Sequence, residues 1–323
     1  MLLRNRGSTF KIVPNPPIVV GTGFKNLRPS FFARRNIVIP GWYSHAACTL
    51  HPKPPIQPDL SGRYDGHTTT AMEPLRTFAE RISRNRVLRR HLPKDFNSAP
   101  IYVSPDASLR HWNPRLHSDL FDLARQFVHP GDTIWDIGAN VGLFTIAAAH
   151  KAGHNGSIVA IEPDLWLAAL LQRTVALQPP SAAPIHILPV AVANATGIGT
   201  LHIANRNRNS NHLASIAEHS QAGGTRETYQ VLCITLDWLL EHTPPPSLVK
   251  IDIEGAEIDL LHGAHRLLTE IRPVLMCESQ HRNRHSVTTI FNQYSYKLYD
   301  WDTNPRVEVQ TAAFNTLAIP IDR

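Results

Sequence analysis

Asp136-Ile137-Gly138-Ala139-Asn140-Val141-Gly142 follows directly on Thr133-Ile134-Trp135 and leads into Leu143-Phe144-Thr145-Ile146-Ala147. The apolar run predicts a strand over 133–136, and the alanine-rich stretch beyond predicts a helix over 142–151. Two glycines and an asparagine between them predict a tight turn. Gly138 permits a backbone shape closed to other residues and lets a ligand approach closely. Asn140 stands where such turns often hold another glycine, and asparagine tolerates left-handed geometry. Gly142 allows close packing of helix on strand. A strand, a glycine turn and a helix in this order make a nucleotide cradle.

The same alternation continues outward. Strands are expected over 157–161, 185–190, 248–253 and 273–278, and helices over 165–177, 256–268 and 285–293. Such alternation predicts an α/β fold, a parallel sheet covered by helices. Tyr296 to Tyr299 and Phe314 to Ile319 follow one another without a clear helix, which predicts an antiparallel hairpin at one edge. Upstream, Leu75 to Leu92 reads as a basic, partly amphipathic helix and Ile101 to Val103 as a short strand. Leu116, Leu120, Leu123 and Phe127 share one helical face that ends at Pro130-Gly131. No internal repeat is visible.

Charge divides the 323 residues unevenly. Residues 1–71 hold nine basic side chains against Asp59 and Asp65, a net +7 of the chain's +6, so the other 252 residues sum to −1. Nucleic-acid binding would place the basic patch on the folded body, and the charge is not there. The same 71 residues carry nine prolines and no periodicity, which predicts a disordered extension. The expected organisation is an extension over 1–71, a lead-in over 72–115 and a domain over 116–323. A chain starting at Met72, itself able to initiate translation, is expected to melt and bind cofactor as the full chain does. Melting curves and cofactor titrations of both lengths test this, and a drop on truncation would refute it. No apolar run reaches the 18 residues of a membrane span, and no signal peptide is visible. Cys48, Cys233 and Cys277 are far apart with no C-x-x-C, as expected of buried thiols in a reducing cytoplasm.

The cradle's ligand is narrowed by its acid. A dinucleotide fingerprint reads G-x-G-x-x-G, whereas this chain has G-x-x-x-G preceded by Asp136. A pyrophosphate favours a helix N-terminus free of acids. Asp136 better suits a cationic, phosphate-free ligand such as S-adenosylmethionine. Twenty residues beyond Gly142, Glu162 closes the strand Ser157 to Ile161, where an acid can accept both ribose hydroxyls. An NAD(P)-dependent oxidoreductase and a non-catalytic cofactor-binding protein are the alternatives on the same scaffold.

A second constellation reads Val249-Lys250-Ile251-Asp252-Ile253-Glu254-Gly255-Ala256-Glu257. It is an apolar strand leading into a helix that presents Leu260, Leu261, Ala264, Leu267 and Leu268 on one face. Asp252, Glu254 and Glu257 thus gather at a strand's carboxyl end, where open α/β sheets bind ligands. Alternation puts Lys250, Asp252 and Glu254 on one side, where the carboxylates need a cation, a proton or a donor. A salt bridge to Lys250 is the structural alternative. Glu257 in the first helical turn is equally explained by the helix dipole.

These two motifs, D-I-G-A-N-V-G-L-F-T and K-I-D-I-E-G-A-E-I-D-L-L-H-G-A, closely resemble the FkbM family of S-adenosylmethionine-dependent methyltransferases. G-D-T-I-W-D, A-I-E-P, P-V-A-V-A, T-L-D, P-V-L-M-C-E and F-N-T-L-A-I-P follow in the family's order over roughly 116–320. The resemblance implies a Rossmann-like sheet of seven strands, six parallel with one antiparallel near the edge. It also implies O-methylation of a hydroxyl on a sugar, glycan, glycolipid or secondary metabolite. The expected cofactor site is Asp136, Gly138, Asn140, Gly142 and Glu162. Candidates for the base are Asp252, Glu254, Glu278 and His281, because a hydroxyl must lose its proton as it attacks the methyl carbon. No metal is expected. A divalent ion on Asp252 and Glu254 is the minor variant, and His281 and His285 have ligand spacing without further partners. Asn205 to His212, dense in donors and acceptors, is expected to select the acceptor, its arginines holding a phosphate or carboxylate.

Overall fold

The computed structural model describes residues 80, 82–214 and 223–322. Residues 1–71, the first part of the helix expected over 75–92, and Cys48 lie outside the described residues. That helix ends by Asn85, whose backbone is left-handed (φ 54°), and the chain turns into strand β1 (Leu88–His91). This strand pairs antiparallel with β2 (Pro100–Val103). Helix α1 (Ser118–Phe127) buries Phe121, Leu123 and Ala124. Leu116 does not join its face: Pro114 opens a separate 3-10 turn, the helix starts only at Ser118, and Leu116 is left 53% exposed.

From β3 (Thr133–Ile137) the chain alternates through α2 (Leu143–Ala152), β4 (Ser157–Ile161), α3 (Leu165–Val175) and β5 (Ile185–Leu188). A second sheet then intervenes, from β6 (Ala191–Val192), β7 (Gly197–Ala204), β8 (His212–Leu213) and β9 (Thr225–Ile234), in the order β6-β9-β7-β8. Alternation resumes with α4 (Leu236–His242), β10 (Leu248–Ile251), α5 (Glu257–His262), β11 (Val274–Glu278) and α6 (Arg284–Gln293). The chain closes with β12 (Tyr296–Asp300), β13 (Val307–Glu308) and β14 (Asn315–Pro320).

The main sheet runs β13-β12-β14-β11-β10-β3-β4-β5. The five strands from β11 to β5 are parallel, and β14 is antiparallel to both β11 and β12. Six strands thus share one direction around a reversed β14, as expected. The sheet has eight strands rather than seven because β13 adds two residues beside β12, a piece too short to show a period of two. The helix expected over 256–268 is two pieces. It stops at Gly263, and a π-helical turn (Leu267–Ile271) follows, its start capped by Asp237, which accepts from the Arg266 and Leu267 amides at 3.0 Å. Leu260, Leu261, Ala264, Leu267 and Leu268 are all buried, so the apolar face survives the break.

Strand alternation splits the core between the two faces of the sheet. Ile134, Ile158, Leu248 and Leu317 pack with α1, α2, α3 and the β1–β2 hairpin. Trp135, Val159, Val249 and Cys277 pack with α4, α5 and α6. Strand order reverses at β3, with β4 on one side and β10 on the other, and this opens a crevice at their carboxyl ends.

Candidate active site

Register explains how the charged residues meet. In the parallel ladder Asp136 of β3 pairs with Lys250 of β10, and Lys250 with Met276 of β11. The Asp136 and Lys250 side chains therefore emerge side by side on the α1–α2 face. Both are buried, and Lys250 Nζ lies 3.3 Å from Asp136 Oδ1 and 3.4 Å from Asp252 Oδ2. It also donates to the Gly138 carbonyl at 3.3 Å. Burial alone would lower the ammonium's pKa, but Asp136, Asp252 and Glu278 outweigh it and hold it above its ordinary value. The salt bridge to Lys250 is thus real. Asp136 lies beneath the turn rather than in a cavity wall, its other oxygen accepting from Thr145 Oγ1 at 2.5 Å.

The turn has the geometry its residues call for. Asn140 is left-handed (φ 53°), its side chain accepting from the Val141 amide at 2.7 Å. Gly138 (φ 78°) passes so close to β10 that a Cβ would lie 1.9 Å from the Asp252 carbonyl oxygen. Its glycine serves the approach of two strand ends. Gly142 (φ 88°) packs on Leu171 of α3, where a Cβ would meet Cδ1 at 2.3 Å, rather than on a strand. Glu162 at the tip of β4 is clamped beside this turn. It accepts from the Asn140 amide at 2.8 Å and the Asp164 amide at 2.9 Å. Burial, reinforced by the Asp164 charge, pushes it up to about 8 despite those bonds.

Two cavities open at this edge, sharing Gly138, Asn140, Asn209 and Asp252 as walls. The smaller, about 70 Å³, is lined by Glu162, Pro163, Val190 and Glu254 among others. The larger, about 220 Å³, lies on the α1–α2 face against Phe144, Lys250, Glu278 and Phe314. β10 ends at Ile251, so strand alternation does not carry through to Glu254, which takes left-handed geometry (φ 52°) in the turn beyond. Asp252, Glu254 and Glu278 nevertheless converge, with carboxylate oxygens all within 4.8 Å of one another. Among the described residues these three are the side chains that could hold a divalent cation. Glu254 accepts from Asn209 Nδ2 at 3.1 Å and Gln280 Nε2 at 3.4 Å. Burial and the Asp252 and Glu257 charges push it up to about 8. Burial, Asp252 and Glu254 drive Glu278 well above the carboxylate range, and its carboxylate has no hydrogen-bond or ion-pair partner among the described residues.

Three expected residues are placed elsewhere. His281 and His285 are exposed and line neither cavity, because the loop after β11 turns away into α6. Glu257 is buried and ties the turn to α6, accepting from the Gly255 amide at 2.6 Å and Asn283 Nδ2 at 2.7 Å. The histidines in the larger cavity are His111 and His117, rings 5.1 Å apart. They were missed because they belong to the stretch before α1, where no motif draws attention.

The loop over 205–212 is a fixed strap. Arg208 is buried, with Nη1 2.6 Å from Asp164 Oδ2 and Nε 3.4 Å from Asp106 Oδ2, and it lies over the Trp166 ring. Arg206 lies 3.7 Å from Glu80. Arg208 is thus committed to internal carboxylates, which corrects its expected role as an anion clamp. Asn209 alone of the strap bridges both motifs, accepting from Asn140 Nδ2 at 2.7 Å while donating to Glu254.

A sheet in this order, with a glycine turn after its first strand and acids at the neighbouring carboxyl ends, defines a Rossmann-like fold with a ligand site at its switch point. The model of the methyltransferase FkbM domain matches residues 136–298, half of the chain, and the chain belongs to that family. Hexuronic acid methyltransferase AglP of Haloferax volcanii is 23% identical over 164 residues, 50% of this chain and 62% of that protein. The chain thus spans less than two thirds of that relative. The structure of methyltransferase FkbM from Methylobacillus flagellatus aligns over 77% of this chain and 58% of that one, at 14% identity and TM-score 0.38. A putative rRNA methylase from Clostridium thermocellum aligns over 63% and 92%, at 10% identity and TM-score 0.38. Among the described residues no helix is long and apolar enough to cross a membrane.

Proposed function

We propose that this methyltransferase moves a methyl group from S-adenosylmethionine to a hydroxyl of a sugar or related polyol. The observation that carries the reading is the pair of acids flanking one turn: Glu162 in the smaller cavity and, in the larger, Glu278, whose carboxylate has no partner among the described residues. The residues fit the cofactor. Glu162 uses one lone pair of each oxygen on a backbone amide, which leaves capacity for two ribose hydroxyls. Asp252, common to both cavities, offers negative charge to a cationic ligand, and Lys250 holds it in place. S-adenosylmethionine, when bound, supplies a methyl group on a positively charged sulfur. Glu278, once ionised, accepts the proton of the attacking hydroxyl, and burial with the Asp252 and Glu254 charges makes its carboxylate more basic than a solvent-exposed one. An acid-lined cavity also disfavours a nucleic-acid backbone. Cys233 and Cys277, free and buried, support a reducing, cytoplasmic location.

The test is transfer of labelled methyl from S-adenosylmethionine across a panel of glycans and lipid-linked sugars, with calorimetric titration of S-adenosylmethionine against NAD. Cofactor binding without transfer to any acceptor would leave a non-catalytic binding protein. Loss of transfer on chelation would restore the metal variant on Asp252, Glu254 and Glu278. Glu162→Ala is expected to weaken S-adenosylmethionine binding by about 0.5–1.5 kcal/mol for each ribose hydroxyl it releases, the net range for an ordinary hydrogen bond. Unchanged affinity in the titration would remove Glu162 from the ribose.

A further inference from the structure

Resting on that reading, we propose that the larger cavity is an acceptor subsite shaped for a neutral pyranose and closed to a carboxylate. Its specificity is set by Phe314 and His117.

Position gives the first support. The family match covers 136–298, yet part of this cavity's lining comes from Arg110, His111, His117 and Asp119 before that stretch and Phe314 after it. Phe314 is 43% exposed, a large apolar ring kept at the rim of a polar cavity. Its backbone is pinned, the Ser279 amide donating to the Phe314 carbonyl at 2.8 Å. A pyranose has one face rich in C–H groups, and the negative face of an aromatic ring attracts such groups.

The second support is an unused polar atom. His117 Nε2 is buried and has no hydrogen-bond partner among the described residues. A buried polar atom left unpaired is costly, and a ligand hydroxyl in the cavity relieves it. Burial, His111, Arg110 and Lys250 bring His117 down to about 3, so it stays neutral and offers one donor or acceptor to one hydroxyl. Its neighbour His111 is already engaged, Nδ1 lying 2.9 Å from the Ser104 carbonyl.

Charge supplies the third. The cavity's acids are Asp119, Asp252 and Glu278, and its cations are Arg110 and Lys250. Lys250 is shared between Asp136 and Asp252, and Arg110 lies 4.0 Å from Asp119 while donating to the Leu116 carbonyl. Glu278 has no ion-pair partner among the described residues. A carboxylate on the acceptor would meet Asp119 and Asp252 with both of the cavity's cations already engaged, and like charges brought together oppose binding strongly.

The experiment uses the full chain with S-adenosylmethionine and two matched probe sets: methyl hexopyranosides and the corresponding methyl hexopyranosiduronates. Saturation-transfer NMR reads sugar binding, and labelled methyl transfer is followed in the same samples. The neutral sugars are expected to bind at least about tenfold more tightly than their uronic acids, since each 1.4 kcal/mol of discrimination is tenfold. Phe314→Ala and His117→Ala should each weaken neutral-sugar binding about tenfold, while Phe314→Tyr retains it, with cofactor affinity unchanged throughout. Equal or tighter binding of the uronic acids, wild-type sugar binding by Phe314→Ala, or no sugar binding at all would overturn the subsite. Sugars that bind with the expected profile but never receive a methyl group would sink the transferase reading and leave the subsite standing.

Discussion

Gly138→Val is expected to abolish S-adenosylmethionine binding and to lower the melting temperature sharply, and Gly138→Ala to do both to a lesser degree. The cause is a collision at the first atom of any side chain. A Cβ would stand 1.9 Å from the Asp252 carbonyl oxygen and 2.9 Å from its carbon, both backbone atoms of the next strand's end. β3 and β10 can separate to admit it only by breaking the bond from the Asp252 amide to the Ile137 carbonyl, 3.1 Å long, and by pulling Lys250 from Gly138 and Asp136. Left-handed backbone adds about 1–2 kcal/mol for any L side chain. Gly131→Ala isolates that second cost, because Gly131 shares the left-handed geometry (φ 88°) with nothing within 4 Å of its Cβ position. Melting curves and calorimetric titrations of the three variants decide it. If Gly138→Ala behaves like Gly131→Ala, the strand ends relax freely and the close approach is not what requires glycine.

What the chain discloses before folding follows physical rules of short range. β3, β4, β10 and β11 were visible because strands buried on both faces read as continuous apolar runs. The left-handed Asn140 was visible because few residue types tolerate that geometry. Asp252 and Glu278 were legible as strand-end acids, but their meeting depends on the pairing of β10 with β11, which no local pattern encodes. Arg208 shows the reverse failure. In a run of asparagines it reads as a clamp for an anionic acceptor, and only the fold brings Asp106, 102 residues away, and Asp164 against it. The helix over 256–268 was misjudged for a similar reason, since its break is stabilised from outside by Asp237 of α4. His117 could be found only through a cavity wall built from distant segments.

Glu278→Gln is expected to cut methyl transfer by about 10²–10⁴-fold, the usual contribution of a positioned base, while leaving cofactor affinity intact. Glutamine keeps the shape and removes the proton acceptor. The same variant is expected to gain stability. A carboxyl whose folded pKa is raised binds more protons folded than unfolded between its ordinary value and the raised one, so stability falls as pH rises through that window. Glu254 and Glu162, each raised to about 8, and Glu278, driven well above the carboxylate range by burial and by Asp252 and Glu254, all act in this direction. Wild-type stability should therefore decline from about pH 5 to pH 8, and Glu278→Gln should flatten the decline and be more stable at pH 8 by on the order of 1 kcal/mol. Turnover of the wild type should move oppositely, rising with pH as Glu278 loses its proton. Melting curves and single-turnover transfer over the same pH series separate the two effects. A variant that loses both stability and turnover would mark Glu278 as a structural residue. One that keeps full turnover would pass the proton to Asp252 or Glu254, the acids that share its cluster.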